Sequence, residues 1–523
     1  MTRGPSVTQV TTFQTVGAFV VLAIASFVLF VVNSLIDGVG AGIVVDPAAW
    51  LARLDAESAN SLLFNAADIV AGLLGVAITV SAIVVQLAAT RYNHRITWLF
   101  LREPFNIAVW SVYLLTVLQC VWVAVSRDTG ESARLPGAAV GITLVLVSVS
   151  LLLLLPYFVF VFRFLSPLSI IFKIKGSAYR SIERAQRASS AAAKREVLDA
   201  IDQIQDVARS ASEQSDRSVA MACTDALRDL LVDYQRIRPR LPQAWFSVEG
   251  AVAENPDFVS LAHSVLDEIA EQRLWLEFKI FRQYISLMAN CVPDAREVAY
   301  LIAINTSRIG TEQGPQNRPL LELCIKCLNT YLRVSINVAD ARTSYYLMNQ
   351  YRILAESLVE QGLDEPVREI AGYFKYYGNL AHERGQLFIL QIAAGDLTSL
   401  VEASLQHSES LTDDLLTIVL DVDQEIRSET QEESLLGVRR AQLQLATLFA
   451  LRGDDARAQR ICRDLAGERM ARLQRLRVDL ENESRPQYWE LDERGVNFGY
   501  LPPDRRAQLP KLMAWIADAA GLR

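Results

Sequence analysis

Histidine is scarce in this chain, cysteine is irregularly placed and strand-like alternation is almost absent. Each shortage removes a class of function. The four histidines, His94, His263, His382 and His407, are scattered without ligand spacing, so no metal site is expected. The six cysteines, Cys120, Cys223, Cys291, Cys324, Cys327 and Cys462, do not form a disulfide framework, and their irregular spacing suits a reduced, cytosolic setting for the polar part of the chain. Cys324-Ile-Lys-Cys327 is a lone C-x-x-C without a second pair or a βαβ context, and it reads as helix packing rather than as a redox pair. The glycines around Gly310 and Gly314 lack the Lys-Ser/Thr ending of a phosphate loop, and no G-x-S-x-G elbow occurs. No nucleophile, base or cofactor constellation is visible, so an enzyme is not expected and no cofactor is implied. A net charge of −8 without a basic face argues against a nucleic-acid partner.

What the chain does contain is unevenly distributed. Its 523 residues are 51% hydrophobic, but that average joins two different parts. Residues 1–170 are dominated by long apolar runs. The rest is rich in Ala, Leu, Arg and Glu, as in a helical domain facing water. Four segments, about 12–36, 63–90, 105–126 and 136–165, are long enough to cross a hydrocarbon core of roughly 30 Å. The first is too long for the apolar stretch of a cleaved leader and has only Arg3 ahead of it, so it is expected to be a span. The expected fold is therefore an all-α membrane protein, with four transmembrane helices followed by an α-helical, solenoid or TPR-like cytoplasmic domain. The divisions are 1–170, a helical connector at 171–257, and a repeat-like domain at 258–523.

Basic residues set the orientation. The loop between the first two spans holds Asp37, Asp46, Asp55 and Glu57 against Arg53. The next loop holds Arg91, Arg95 and Arg102, and Arg163, Lys173, Lys175 and Arg180 follow the fourth span. Both termini and the second loop are thus expected in the cytoplasm of an inner-membrane, multi-pass protein. Trp50, Trp98, Trp110 and Tyr157 lie near the expected boundaries, and Pro156 falls inside the fourth span, where it removes a backbone bond. Beyond it, Ile170, Ile171 and Phe172 either dip into the lipid interface or form an ordinary flank.

One stripe stands out. At roughly 100° per residue, Asp68, Gly72, Gly75, Thr79, Ala82, Gln86, Thr90, Asn93 and Thr97 share one narrow helical face of the second span. Val70, Leu73, Ala77, Val80, Val84 and Leu87 lie on the opposite side. Small residues at this spacing let helices approach closely in a membrane, so the stripe reads as a packing face. Polar groups at membrane depth also mark pathways, so the alternative is the lining of a pore at the axis of a homo-oligomer, with Asp68 either at its mouth or as an interfacial or capping residue. Arg91, His94 and Arg95 put charge at the cytoplasmic end. No span carries a regular Arg ladder and no inverted repeat is visible, which disfavours a voltage sensor and a secondary transporter.

The stretch Gly75–Arg95, followed by Phe100-Leu-Arg-Glu103, resembles the signature of a bacterial family of predicted membrane proteins of unknown function. Gly75, Thr79, Gln86, Leu87, Ala88, Tyr92, Arg95 and Glu103 match in type. Asn93-His94 departs from the usual Ser-Pro, and of a later motif only Ala220–Asp225 is similar. The resemblance spans about residues 10–235. It implies four N-terminal spans followed by a cytoplasmic region, and it implies no activity.

Helical periodicity continues through about 180–209, 258–290, 294–309, 318–338, 341–362, 364–383 and 385–406. Ala441–Ala458 has the small-large-small rhythm and the Gly453-Asp454 turn of a helix pair, without a clean 34-residue period. The tail after about 485 is loop-like until a final helix near Leu512–Ala520. An α-solenoid commonly binds proteins, so the expected partners are the lipid bilayer, other copies of the chain and a cytosolic protein. The expected function is a homo-oligomeric channel for small ions, lined by the second span, with the helical domain as vestibule or sensor. The rival is a membrane-anchored scaffold that recruits a partner.

Overall fold

The computed structural model describes residues 56–91, 100–125, 137–164, 166–187, 191–292, 294–422, 429–488 and 494–521, together with the isolated positions Ile24, Val28, Leu29 and Val32. Apart from those four, the first expected span lies outside the described residues. The described residues are helical, with no strand among them. The chain divides into two compact units, Met1–Ile170 and Ile171–Arg523.

The first unit holds α1 (Ala56–Arg91), α2 (Pro104–Val125) and α3 (Gly137–Phe164), each packed on the other two. All three meet the length and composition of a membrane span, and only 17% to 33% of their most apolar windows is buried. The exposed remainder is apolar. Ile69, Ile83, Leu115, Trp122, Val145 and Phe162 all face outward, a surface that water would not tolerate and lipid would. α3 runs unbroken through Pro156, so the carbonyl of Leu152 forgoes its usual i+4 donor.

The division between the units falls within α4 (Pro167–Ala185), which carries the chain into the second. Ile170 and Ile171 are buried in the protein rather than dipping outward, and of the expected apolar trio only Phe172 is exposed. Lys175 pairs with Asp229 at 3.3 Å. Next come α5 (Ala191–Glu213), α6 (Arg217–Ile237), α7 (His263–Glu271), α8 (Trp275–Cys291), α9 (Arg296–Gln313) and α10 (Arg318–Asn337). These are followed by α11 (Ala341–Glu360), α12 (Asp364–Glu383), α13 (Leu387–Ser404), α14 (Glu409–Leu420), α15 (Glu429–Leu451), α16 (Asp455–Leu465), α17 (Met470–Asn482) and α18 (Leu509–Ala519). They stack as two rows. One is α6, α9, α11, α13 and α15; the other is α8, α10, α12 and α14. The segment 171–257, expected as a connector, is part of this unit, because α5 packs on α6 and α8 and α6 packs on α9.

The first-row helices α9, α11, α13 and α15 begin 45, 46 and 42 residues apart, a helix-pair repeat longer than the 34 residues of the TPR pattern. The turns between paired helices are built alike. Gly362, Gly385 and Gly453 adopt φ of +71°, +78° and +77°, which glycine tolerates and which lets the chain leave a helix sharply. The amide after each then donates back into the last turn: Leu363 to Leu358 O, Gln386 to Ala381 O and Asp454 to Phe449 O. Asp454 also accepts from Arg457 N and so starts the next helix. α13 meets the composition of a membrane span as well, but 61% of its window is buried. It packs on α11, α12, α14 and α15, so its apolar residues form the core of the solenoid.

Candidate functional site in the membrane unit

The stripe and its opposite face do different things. Leu63, Ala66, Ala67, Val70, Ala77, Ser81 and Val84 of α1 are buried. Leu63 joins Val123, Ala124 and Val140 in one cluster, and Ala66 and Ala67 join Cys120 in another. Asp68, Gly72, Gly75, Thr79, Ala82 and Gln86 are all exposed on the other side of the helix. A Cβ added at Gly72 or Gly75 would meet nothing within 4 Å, so neither glycine serves close packing against α2 or α3. The Thr79 hydroxyl donates to Gly75 O at 2.8 Å and needs no other partner to lie at membrane depth. Thr90 and Arg91 belong to α1, but their side chains, like all of Asn93, His94, Arg95 and Thr97, lie outside the described residues.

On the buried side is a polar cluster that sequence reading missed. The Tyr157 hydroxyl donates to Asn106 Oδ1 at 2.7 Å and accepts from Trp110 Nε1 at 3.1 Å. It lies 2.6 Å from Ser81 Oγ, whose proton is shared with Ala77 O, also at 2.6 Å. Ser81, Asn106 and Tyr157 are fully or almost fully buried, one from each helix. Tyr157, expected at the membrane boundary, is thus the hub of the bundle interior, and Trp110 turns its indole N–H inward to meet it. Asn106 Nδ2 and the Tyr113 hydroxyl are buried without a hydrogen-bond partner among the described residues. Phe160 closes one side, with ring centres 4.8 Å from Phe105 and 6.3 Å from Phe100. A second buried pair, Thr116 and Ser150 at 3.0 Å, joins α2 to α3. The signal for these contacts in the sequence is faint. Asn106 and Trp110 are one helical turn apart at the start of the third span, and Ser81 is the polar residue on an otherwise apolar face.

In the second unit, the thiols and the other buried titratable side chains among the described residues are enclosed by packing. Cys324 and Cys327 are buried, and burial raises both thiols, that of Cys327 to about 12, so neither is a ready thiolate. Among the described residues no group of His, Cys, Asp and Glu is arranged to hold a metal ion. Two buried titratable side chains are structural staples. The Lys279 ammonium donates to Asp202, to Asp257 and, at 3.0 Å, to Asn255 Oδ1, tying α5 and the 255–257 turn to α8. Glu277 accepts from Gln235 Nε2 at 2.7 Å and lies 3.3 Å from Arg238 Nε.

The architecture defines an all-helical membrane protein: a bundle of spans with a polar interior, followed in the chain by a helical-repeat unit. Residues 12–235 match a family described as a predicted membrane protein, DUF2254, and this is the family that the stretch Gly75–Arg95 resembles. The match takes in the described helices of the bundle and most of α6, and ends before α7. No curated protein matches the chain. Among solved structures, a circular tandem repeat protein with novel repeat topology and enhanced subunit contact surfaces aligns at 14% identity. It covers 90% of this chain and 99% of its own, with a TM-score of 0.24, a likeness too slight to carry an argument.

Proposed function

We propose that the membrane unit assembles with copies of itself around an axis lined by the stripe of α1 and conducts small ions, with the helical unit on the cytoplasmic side as vestibule or sensor. The observation that carries this reading is the division of α1 into two faces. Its packing with α2 and α3 uses only the face of Val70, Ala77, Ser81 and Val84, which leaves Asp68, Gly72, Gly75, Thr79, Ala82 and Gln86 turned outward. Lipid gains nothing from a carboxylate, two glycines and a glutamine on one line, whereas a water-filled axis or a second α1 does. The test is ion flux in proteoliposomes together with the symmetry of particles in nanodiscs. Thr79→Leu and Gln86→Leu should alter a flux that wild type supports. Flux at the empty-liposome background for wild type and both variants rejects the channel. In that case the two stacked helix rows favour the scaffold, and the search moves to a protein captured stoichiometrically by the second unit.

A further inference from the structure

After α17 the chain does not simply end in a helix. Residues 494–502 first cross the first helix row as an irregular strap, touching α11, α13 and α15. The strap is held as a ligand is held. The Arg494 guanidinium is buried, pairs with the buried Asp396 of α13 and donates to Tyr345 O of α11 at 2.9 Å. It lies 4.4 Å from the centre of the Tyr345 ring and 5.7 Å from that of Phe498. The Phe498 ring sits over Gly395, where a Cβ would come within 2.8 Å of it, so this glycine of α13 makes the room. Gln444 of α15 then reads the main chain, donating through Nε2 to Phe498 O at 3.2 Å and to Tyr500 O at 3.0 Å.

Two further features suit an occupant that can be replaced. Asp396 keeps a second cation of its own framework, Arg352 Nε at 3.6 Å, so it is not left without a counter-charge when the strap leaves. A cavity of about 220 Å³ also remains beside the strap, lined by Gln391, Thr398, Ser399, Arg440, Gln444 and Tyr500, so the resident segment does not fill the groove.

We propose that this face of α11, α13 and α15 is a binding site for a non-helical segment of a partner protein that carries an arginine and, four residues later, an aromatic side chain. The chain's own Arg494–Pro502 is its resident stand-in. Asp396 with Tyr345 takes the guanidinium, Gly395 takes the aromatic ring, and Gln444 takes the main chain. The proposal concerns the second unit alone and stands whether or not the membrane unit conducts.

The probe is a fluorescent peptide with the sequence of residues 494–502, titrated into the full chain in detergent and followed by anisotropy. Wild type binds it weakly, because the strap competes. Arg494→Ala loosens the strap and strengthens peptide binding by about tenfold or more, since an intramolecular competitor is lost. Adding Asp396→Asn to that chain, or using a peptide whose arginine is alanine, abolishes the gain, and adding Gln444→Ala reduces it. Phe498→Ala, which leaves the Arg494–Asp396 pair in place, is the second route to an open groove if Arg494→Ala disturbs folding. Equal binding to wild type, Arg494→Ala and Phe498→Ala overturns the proposal, as does binding indifferent to Asp396 or to the peptide's arginine. Dimerisation of the wild-type chain that the free peptide reverses also overturns it, because the occupant is then the tail of a second copy.

Discussion

Replacing Glu277 by glutamine should remove a pH dependence from the stability of the helical unit. Glu277 stands in the first turn of α8 and is completely buried. Its Oε1 has the Gln235 amide from the last turn of α6 and the guanidinium of Arg238, the residue that follows the helix, while Oε2 is buried with no hydrogen-bond partner among the described residues. Tyr234 faces the same pocket. Burial outweighs the attraction of Arg238 and raises the carboxyl from 4.5 to about 7. The folded chain therefore holds this proton more tightly than the unfolded chain. Its contribution is fully present below about pH 4.5 and is lost as pH rises through about 7. The shift corresponds to about 3 kcal/mol in all, most of it lost between pH 5 and 8. Glutamine keeps the acceptor for Gln235 and has no charge to desolvate. The assay is urea unfolding of the full chain in detergent from pH 5 to 9, followed by tryptophan fluorescence. Trp245 and Trp275 are well placed as reporters, being fully buried with rings 5.2 Å apart and one of them two residues from Glu277. Wild type should lose stability with rising pH relative to Glu277→Gln. Parallel curves would refute the assignment of a neutral, buried carboxyl.

The same reasoning separates the two faces of α1. Tyr157→Phe removes a hydroxyl shared with Ser81, Asn106 and Trp110 and should cost about 1–2 kcal/mol in a bicelle unfolding titration. Thr79→Val, whose hydroxyl serves only its own helix among the bonds described, should leave that titration unchanged; equal losses would show that the interior cluster has no special weight. Lys279→Met removes the ammonium that Asp202 and Asp257 share and should lower stability by about 3 kcal/mol, read as a fall in Tm, with an unchanged Tm contradicting the stapling role.

Much of the helical unit was legible because its punctuation is local. The expected stretches 318–338, 341–362, 364–383 and 385–406 correspond to Arg318–Asn337, Ala341–Glu360, Asp364–Glu383 and Leu387–Ser404. Gly362, Gly385 and the Gly453-Asp454 pair mark turns by a backbone conformation that only a few residue types adopt readily. The repeat itself was not legible. Its period is kept by stacking between helices some 45 residues apart, as in Arg296 to Asp340 or Arg368 to Asp414, and such pairs leave no common motif. The strap was hidden for the same reason. Arg494 finds Asp396 and Tyr345 across 98 and 149 residues, and a tail marked by Pro and Gly gives no hint of where it docks.

In the membrane unit, the sequence exposes the face of α1 that is turned away from α2 and α3 and conceals the one packed against them. A stripe is visible because it obeys the period of a single helix. The Ser81–Tyr157–Asn106 contact joins three helices and is visible only once they are assembled. That asymmetry bears on function. The bundle is already closed by its own polar cluster and by Leu63, Ala66 and Ala67 against α2 and α3, so holding these three helices together does not require the stripe. A side chain such as Gln86 at membrane depth is expensive to keep, and selection for bundle stability alone would replace it with leucine. The two faces should accordingly separate under mutation. Changes at Ser81, Asn106 or Tyr157 would be read in unfolding titrations, whereas changes at Gly72, Thr79 or Gln86 would be read in assembly or flux at unchanged stability. If the stripe variants instead unfold the bundle, α1 has no spare face and the case for an axial role collapses.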